Sequence, residues 1–145
     1  LSAPSISIEQ VHPDRALDED ALRVLLHTIA DGEQCTLGAV SVVLTDHDTV
    51  HALNREYLGH DYITDVLSFD LSDDPDRVEG EIYVDLDTAA ERHEEFATTF
   101  EDEARRYVAH GLLHLIGYDD GTSEERATMR RLEDRYLAAA PSSAA

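Results

Sequence analysis

The chain has 145 residues, of which 42% are hydrophobic, so it can bury one ordinary core and is too short for two domains with separate cores. Its apolar stretches are interrupted by charges before the roughly 18 residues that a membrane span needs, and its start lacks a basic-then-apolar leader, so we expect a cytoplasmic protein that does not bind membranes. The 32 acidic residues outnumber 11 basic ones, all of them Arg, and the net charge of -21 argues against nucleic-acid binding unless a cleft is locally basic or the working salt is high.

The first half of the chain predicts two successive strand-then-helix units. Alternating apolar residues indicate a strand over residues 5–11, and apolar residues at helical spacing indicate a helix over residues 16–30. A Val-rich strand over residues 37–44 and a helix over residues 48–58 repeat the pattern.

The second half predicts two adjacent strands followed by helices. Apolar runs at residues 66–71 and 81–86 are separated by a polar segment whose Pro75 and Gly80 suit a turn or a longer hairpin loop. The periodicity then predicts three helices, over residues 88–98, 99–116 and 123–139.

These elements together predict an α+β fold. About four strands form one mixed sheet, helices cover a face of it, and residues 1–145 make a single domain. The ends, at about residues 1–5 and 138–145, are small and polar with Pro, which is the composition of frayed termini.

The helix predicted over residues 99–116 carries the chemistry. Thr98 and Glu101 match a capping box at its start. One continuous apolar face follows, and we expect it to lie in the core; its members are Ala104, Tyr107, Val108, Gly111, Leu112, Leu115 and Ile116.

His110 and His114 are four residues apart, so both side chains project from one side of this helix, at the edge of the apolar face. Gly117 is placed to end the helix in a left-handed conformation, which folds Asp119 or Asp120 back toward the imidazoles. Two imidazoles and a carboxylate suit Zn²⁺ or another divalent metal, and three protein ligands leave a position for water of lowered pKa. The spacing therefore predicts a hydrolytic metal site, with His110, His114 and Asp120 as ligands and His114 also in a catalytic role.

Several alternatives stay open for these residues. An isolated HxxxH pair is more often two ordinary surface histidines, but the following Gly and Asp residues favour the metal site. A metzincin protease would carry Glu after the first histidine, where this chain has Gly111, which we expect to pack closely against the sheet. Arg106 could meet a substrate phosphate, although an ion pair with Asp102 is favoured, and Asp119 is a turn residue by default, or else a base acting through water.

The segment HGLLHLIGYDD is similar to the HGxLHLxGYDH motif of the YbeY endoribonucleases. Upstream, LNREYLGHDYITDVLSFD resembles that family's LNxxYRxxDxxTDVLSF segment, and GEIYVDLDTA resembles its GDIxI strand. The three segments occur in the same order and extend the resemblance over most of residues 40–134.

The resemblance implies an α+β metallohydrolase domain with one zinc ion whose activated water attacks a phosphodiester. It implies single-strand-specific RNA cleavage in the 3′-end maturation of 16S ribosomal RNA, a role in ribosome quality control, and the small ribosomal subunit as partner. By position, His110 and His114 take the first two ligand sites. A metallohydrolase of another substrate class, or a non-catalytic ribosome-assembly factor with a structural metal, remains the alternative.

Two positions depart from the family pattern. Asp120 stands where the family usually has a third histidine, and its carboxylate would lower the Lewis acidity of the ion. Leu58 stands where the family often has an Arg that contacts RNA, and Arg55 or Arg106 could compensate. Thr64, Asp65 and Ser68 could line the cleft, but their segment is mainly a core strand.

The acidic composition suggests a further hypothesis. At high ionic strength, screening removes the repulsion between an acidic surface and a polyanion, while the surface charge still keeps the protein soluble. We therefore hypothesise that the protein is adapted to high salt.

Overall fold

A computed structural model of the chain describes residues 5–59 and 64–141. The strands are β1 (Ser5–Gln10), β2 (Thr36–Thr45), β3 (Val66–Asp70) and β4 (Arg77–Asp85). The helices are α1 (Glu19–Glu33), α2 (His47–Leu58), α3 (Leu86–Arg92), α4 (Phe100–Ile116) and α5 (Ser123–Ala139), with a short 3-10 helix (His93–Phe96) between α3 and α4.

The four strands form one mixed sheet in the order β1-β2-β4-β3. β1, β2 and β4 run parallel, whereas β3 is antiparallel to β4. The predicted α+β fold with a mixed sheet of about four strands is therefore confirmed, and so is the pairing of the two apolar runs that flank Pro75. None of the helices among the described residues is long and apolar enough to span a bilayer.

Helix α4 packs across β3 and β4. Its predicted apolar face is buried almost throughout, with Val108 and Leu112 fully covered. Gly111 allows the close approach that its sequence position predicts, because an added Cβ would lie 2.6 Å from Cγ2 of Ile82. Ser68 Oγ donates a hydrogen bond to the Gly111 carbonyl at 2.9 Å. This contact fixes the distance between the helix and the sheet beside the two histidines.

The predicted capping box at the start of α4 is wrong by one residue. Thr99 is the N-cap, and its hydroxyl accepts a hydrogen bond from the Asp102 N–H at 3.1 Å. Thr98 lies in the turn that follows the 3-10 helix: its N–H donates to the His93 carbonyl, and its own carbonyl, which in an N-cap residue would accept the first helical hydrogen bond, accepts from His93 Nδ1. The 3-10 helix before α4 thus decides which threonine caps it. A capping box with both of its bonds is present at the start of α5.

The structure continues further toward the C-terminus than the composition suggests. α5 extends to Ala139, and Ala140 is only 2% exposed. Residues 138 and 139 of the predicted C-terminal end therefore belong to α5, and at the other end Ser5 already belongs to β1. The rest of the predicted frayed ends, residues 1–4 and 142–145, lies outside the described residues.

Candidate metal centre

His110 and His114 lie one turn apart on α4 and face a cleft bordered by β3 and α5. Their Nε2 atoms are 3.0 Å apart, and the ring centroids are separated by 4.6 Å. Both rings are half-buried, because α4 is in the core on one side and open to the cleft on the other. The predicted position at the edge of the apolar face is confirmed.

Gly117 ends α4 and turns the chain back toward the histidines. Its φ of 129° lies in the region that favours glycine, and its N–H donates to the carbonyls of Leu113 and His114. The turn brings Asp120 Oδ2 to 3.1 Å from His110 Nε2 and to 3.4 Å from His114 Nε2. The structure therefore brings together the three side chains that the sequence singles out.

The spacing of these three atoms fits a divalent metal ion. A tetrahedral ion with bonds of about 2.0–2.1 Å holds its ligand atoms roughly 3.3 Å apart, and the observed separations are 3.0, 3.1 and 3.4 Å. Among the described residues, no other group of three or more His, Cys, Asp and Glu side chains comes close enough to share an ion. His110, His114 and Asp120 could therefore hold one.

Glu133 of α5 supports His110 from the opposite edge of its ring. Its Oε2 lies 2.7 Å from His110 Nδ1, so Nδ1 carries the proton and Nε2 presents its lone pair to the centre. Burial alone would lower the pKa of His110. The hydrogen bond and charge of Glu133, aided by the charges of Asp65 and Asp120, outweigh burial and raise this pKa.

Glu133 is a residue that the sequence interpretation missed. It is 4% exposed and lies on the buried face of α5. Met129, Leu132 and Tyr136 share that face at helical spacing. A carboxylate within an otherwise apolar stripe is rarely buried without a partner, and this is the signal that could have identified it.

Arg106 lies on the wall of the cleft, but its favoured pairing with Asp102 is wrong. Its guanidinium donates to Glu133 at 3.0 Å and to Asp134 at 2.6 Å. Asp102 instead accepts from Arg105 at 3.0 Å. The reason is that α5 packs beside this turn of α4 and presents two carboxylates, an arrangement that spacing within α4 cannot reveal.

The remaining candidates divide between the cleft and the surface. Asp119 is exposed and lies on a shallow surface with Gly117 and Glu124, outside the group of ligand atoms. Leu58 lines the cleft on the α2 side and is 44% exposed. Arg55 is not among the described residues that line the cleft on either side.

Thr64, Asp65 and Ser68 all line the cleft. The strand pattern predicts instead that their segment belongs mainly to the core. Burial raises the pKa of the Asp65 carboxyl, and the nearby charge of His110 opposes that rise. A carboxyl of raised pKa in a cleft, beside ligand-type side chains, is typical of functional sites.

Comparison with known proteins places these features in one family. Residues 6–140 match the family model described as Endoribonuclease YbeY. The chain is 55% identical to the Endoribonuclease YbeY of Salinibacter ruber over 95% of each chain, and 37% identical to that of Chlorobaculum tepidum over 85% of this chain and 89% of the relative. It also resembles the solution structure of TM1509 from Thermotoga maritima, with a TM-score of 0.62 and 31% identity, covering 92% of this chain and 90% of the other.

Proposed function

Because this chain belongs to the YbeY family of endoribonucleases, we propose that it is a zinc-dependent enzyme that hydrolyses phosphodiester bonds within single-stranded RNA. Its proposed role is ribosomal RNA processing in the cytoplasm, namely 3′-end maturation of 16S ribosomal RNA and ribosome quality control on the small subunit. Relatives named as endoribonucleases over nearly the whole chain support the hydrolytic activity. The convergence of His110, His114 and Asp120 supports its metal dependence.

The ligand set we propose is Nε2 of His110, Nε2 of His114 and one carboxylate oxygen of Asp120. A divalent ion bound there supplies Lewis acidity and a water of lowered pKa. Glu133 keeps His110 in the tautomer that binds. Arg106 is a positioning residue in this proposal, because its guanidinium is occupied by Glu133 and Asp134.

The residue that follows His110 in α4 favours a phosphodiester over a peptide as substrate. The position after His110, where a HExxH protease carries its general base, is Gly111, and the space for a side chain there is filled by Ile82 and Ser68. The helix therefore supplies no carboxylate directly beside its first histidine. His114 lines the β3 side of the cleft, where Thr64 and Ser68 also lie, and we propose that its loss abolishes activity.

The decisive experiment combines metal analysis with RNA cleavage. We expect the purified protein to hold about one ion per chain and to cleave a single-stranded RNA, with activity measured from low to molar salt. Asp120→Ala should lose at least roughly tenfold in metal affinity and activity. Asp119→Ala is the matched control, because it removes the adjacent carboxylate outside the ligand group. Absence of both metal and cleavage at every salt concentration would overturn the proposal.

A second experiment separates catalysis from a purely structural role. Cells that depend on this protein should accumulate unprocessed 16S ribosomal RNA 3′ ends when they carry His114→Ala. Full maturation with that variant, at wild-type protein levels, would identify an assembly factor whose metal site is not catalytic.

A further inference from the structure

The cleft has one wall in which arginines are concentrated, in a chain that is otherwise acidic. The cavity between the 3-10 helix, α4 and α5 has a volume of about 260 Å³. Four arginines line it, at positions 92, 106, 126 and 130, together with four carboxylates, at positions 65, 103, 120 and 133, of which Glu103 and Glu133 are buried. His110 and Asp120 line the same cavity, so the arginine side chains open directly onto the candidate metal centre.

The opposite wall has a different character. It is formed by α2 and β3, and it shares Asp65, His110 and Asp120 with the first cavity. Among the described residues that line it there is no arginine, whereas Asp70 is present and Leu58 occupies the α2 edge. A polyanion that approaches the centre therefore meets guanidinium groups only on the α5 side of the described cleft.

The arginines on the α5 side are available to an incoming anion. Arg126 and Arg130 are exposed, and neither is within ion-pair distance of a carboxylate in the described part of the chain. Arg126 donates to the carbonyls of Asp120 and Gly121 and to Ser123. Among the described residues, Arg92 forms an ion pair only with the exposed Glu95, and such a surface pair contributes little to stability. Arg106 differs, since it is occupied by two carboxylates.

Phe96 connects two of these arginines. The guanidinium carbon of Arg92 lies 5.2 Å from the centroid of its ring, and that of Arg130 lies 5.8 Å from it. The two arginines come from different elements, α3 and α5, and the aromatic ring holds both through cation–π contacts. Two cations held near each other lose less side-chain entropy on binding an anion than two freely moving ones.

We propose that Arg92, Arg126 and Arg130, the first and last of them held by Phe96, form the subsite that binds the backbone phosphates of single-stranded RNA beside the scissile bond. This inference rests on the proposed ribonuclease function. Guanidinium groups match phosphate oxygens in bidentate geometry. In this chain the RNA then lies along α5, and the α2 wall, with Leu58 at its edge, contributes no phosphate contact.

The test compares arginines that line the cavity with an arginine of α5 that lies outside it. Arg130→Gln and the double variant Arg92→Gln/Arg130→Gln remove lining guanidiniums. Arg131→Gln is the matched control, because Arg131 is the next residue, is exposed, and lies outside the cavity lining. Metal content and the thermal midpoint are measured for each variant to confirm that the centre and the fold are intact.

Two measurements on the metal-loaded protein test whether the subsite binds RNA phosphates. In cleavage of a single-stranded RNA, the double variant should raise KM roughly tenfold while kcat changes much less. In fluorescence-anisotropy binding of the same RNA, the slope of log affinity against log salt should become shallower by about 0.7 for each phosphate that the variant no longer neutralises. Arg131→Gln should match the wild type in both. Phe96→Leu should raise KM about as much as Arg130→Gln.

The outcomes separate the two proposals. If the wild type cleaves RNA and the lining variants behave like Arg131→Gln, the subsite is overturned and the ribonuclease function stands. If the wild type neither binds nor cleaves RNA at any salt, both proposals are overturned. If the wild type binds without cleaving and only the lining variants show reduced affinity and a reduced salt slope, the subsite is supported and the hydrolytic function fails.

Discussion

The carboxylate of Glu133 accepts a hydrogen bond from His110 Nδ1 at 2.7 Å, and this bond joins α5 to the candidate metal centre. The same carboxylate accepts from Arg106 at 3.0 Å, so its buried charge has a cationic partner. The ring of His110 is thereby held with Nε2 toward Asp120 and His114. Helix α5 thus orients a ligand as well as covering the core.

Glu133→Gln should weaken metal binding about 10- to 100-fold, because it removes the charge that orients and polarises His110 while preserving the shape of the side chain. Competition with a chromogenic zinc chelator measures the affinity. Asp134→Asn is the control, since Asp134 also pairs with Arg106 but is exposed and is on the outer side of α5. An equal loss of metal affinity in both variants would mean that the loss of negative charge, rather than the orientation of His110 by Glu133, is responsible.

Asp120→His should move the activity profile toward lower pH. A neutral imidazole in place of the carboxylate leaves more positive charge at the centre, which favours ionisation of the reacting water. The pH dependence of kcat/KM for a single-stranded RNA is the measurement, with Asp119→His as the control outside the ligand group. An unchanged acidic limb in Asp120→His would argue against ligation by Asp120.

Gly111→Ala should destabilise the fold by roughly 1 kcal/mol, although Ala is normally the better residue within a helix. The added Cβ would lie 2.6 Å from Ile82 Cγ2 and 3.1 Å from Ser68 Oγ, so α4 must shift away from the sheet. Urea unfolding gives the free energy. In the control, Gly121→Ala, the new Cβ has 3.6 Å to its nearest neighbour and should change stability by less than about 0.5 kcal/mol.

His47 should stabilise the fold more at low pH than at high pH. Burial alone would lower its pKa, but hydrogen bonds to Asp85 at 2.6 Å and Glu91 at 3.0 Å outweigh burial and raise it. Because the folded pKa is raised, the stabilisation is fully present below the unfolded pKa of about 6.5 and is lost as pH rises through the folded pKa.

The difference in unfolding free energy between wild type and His47→Gln, measured from about pH 5.5 to pH 9, checks this expectation. His27→Gln removes an exposed imidazole from α1 and is the matched control. A pH effect of the same size in both variants would show that the general loss of positive charge from an acidic chain, rather than the pairs of His47, is responsible.

Stability should increase with sodium chloride from low to molar concentration. The net charge of -21 makes self-repulsion large, and the screening length decreases to about 3 Å at 1 M salt. Thermal unfolding at a series of salt concentrations measures the change. A midpoint that stays constant or decreases would contradict the hypothesis of salt adaptation.

Much of the fold follows from local patterns in the chain. The i, i+4 relation of His110 and His114 and the apolar face of α4 are properties of a single helix, so spacing alone predicts them. The adjacency of β3 and β4 follows in the same way from a short connection that contains Pro75. The parallel pairing of β2 with β4 joins residues that are far apart in the sequence, so local periodicity does not predict it.

The sequence was therefore sufficient for the two histidines, for the helix end at Gly117 and for a carboxylate close behind it. The spacing also predicted Asp120 rather than Asp119 as the ligand, and Asp120 Oδ2 lies within 3.4 Å of both imidazole Nε2 atoms. Packing between elements determined that Arg106 engages α5 and that Glu133 supports His110. The physical reason is that backbone geometry relates residues within one element, whereas a side chain's partner on another element depends on how the two pack across the core.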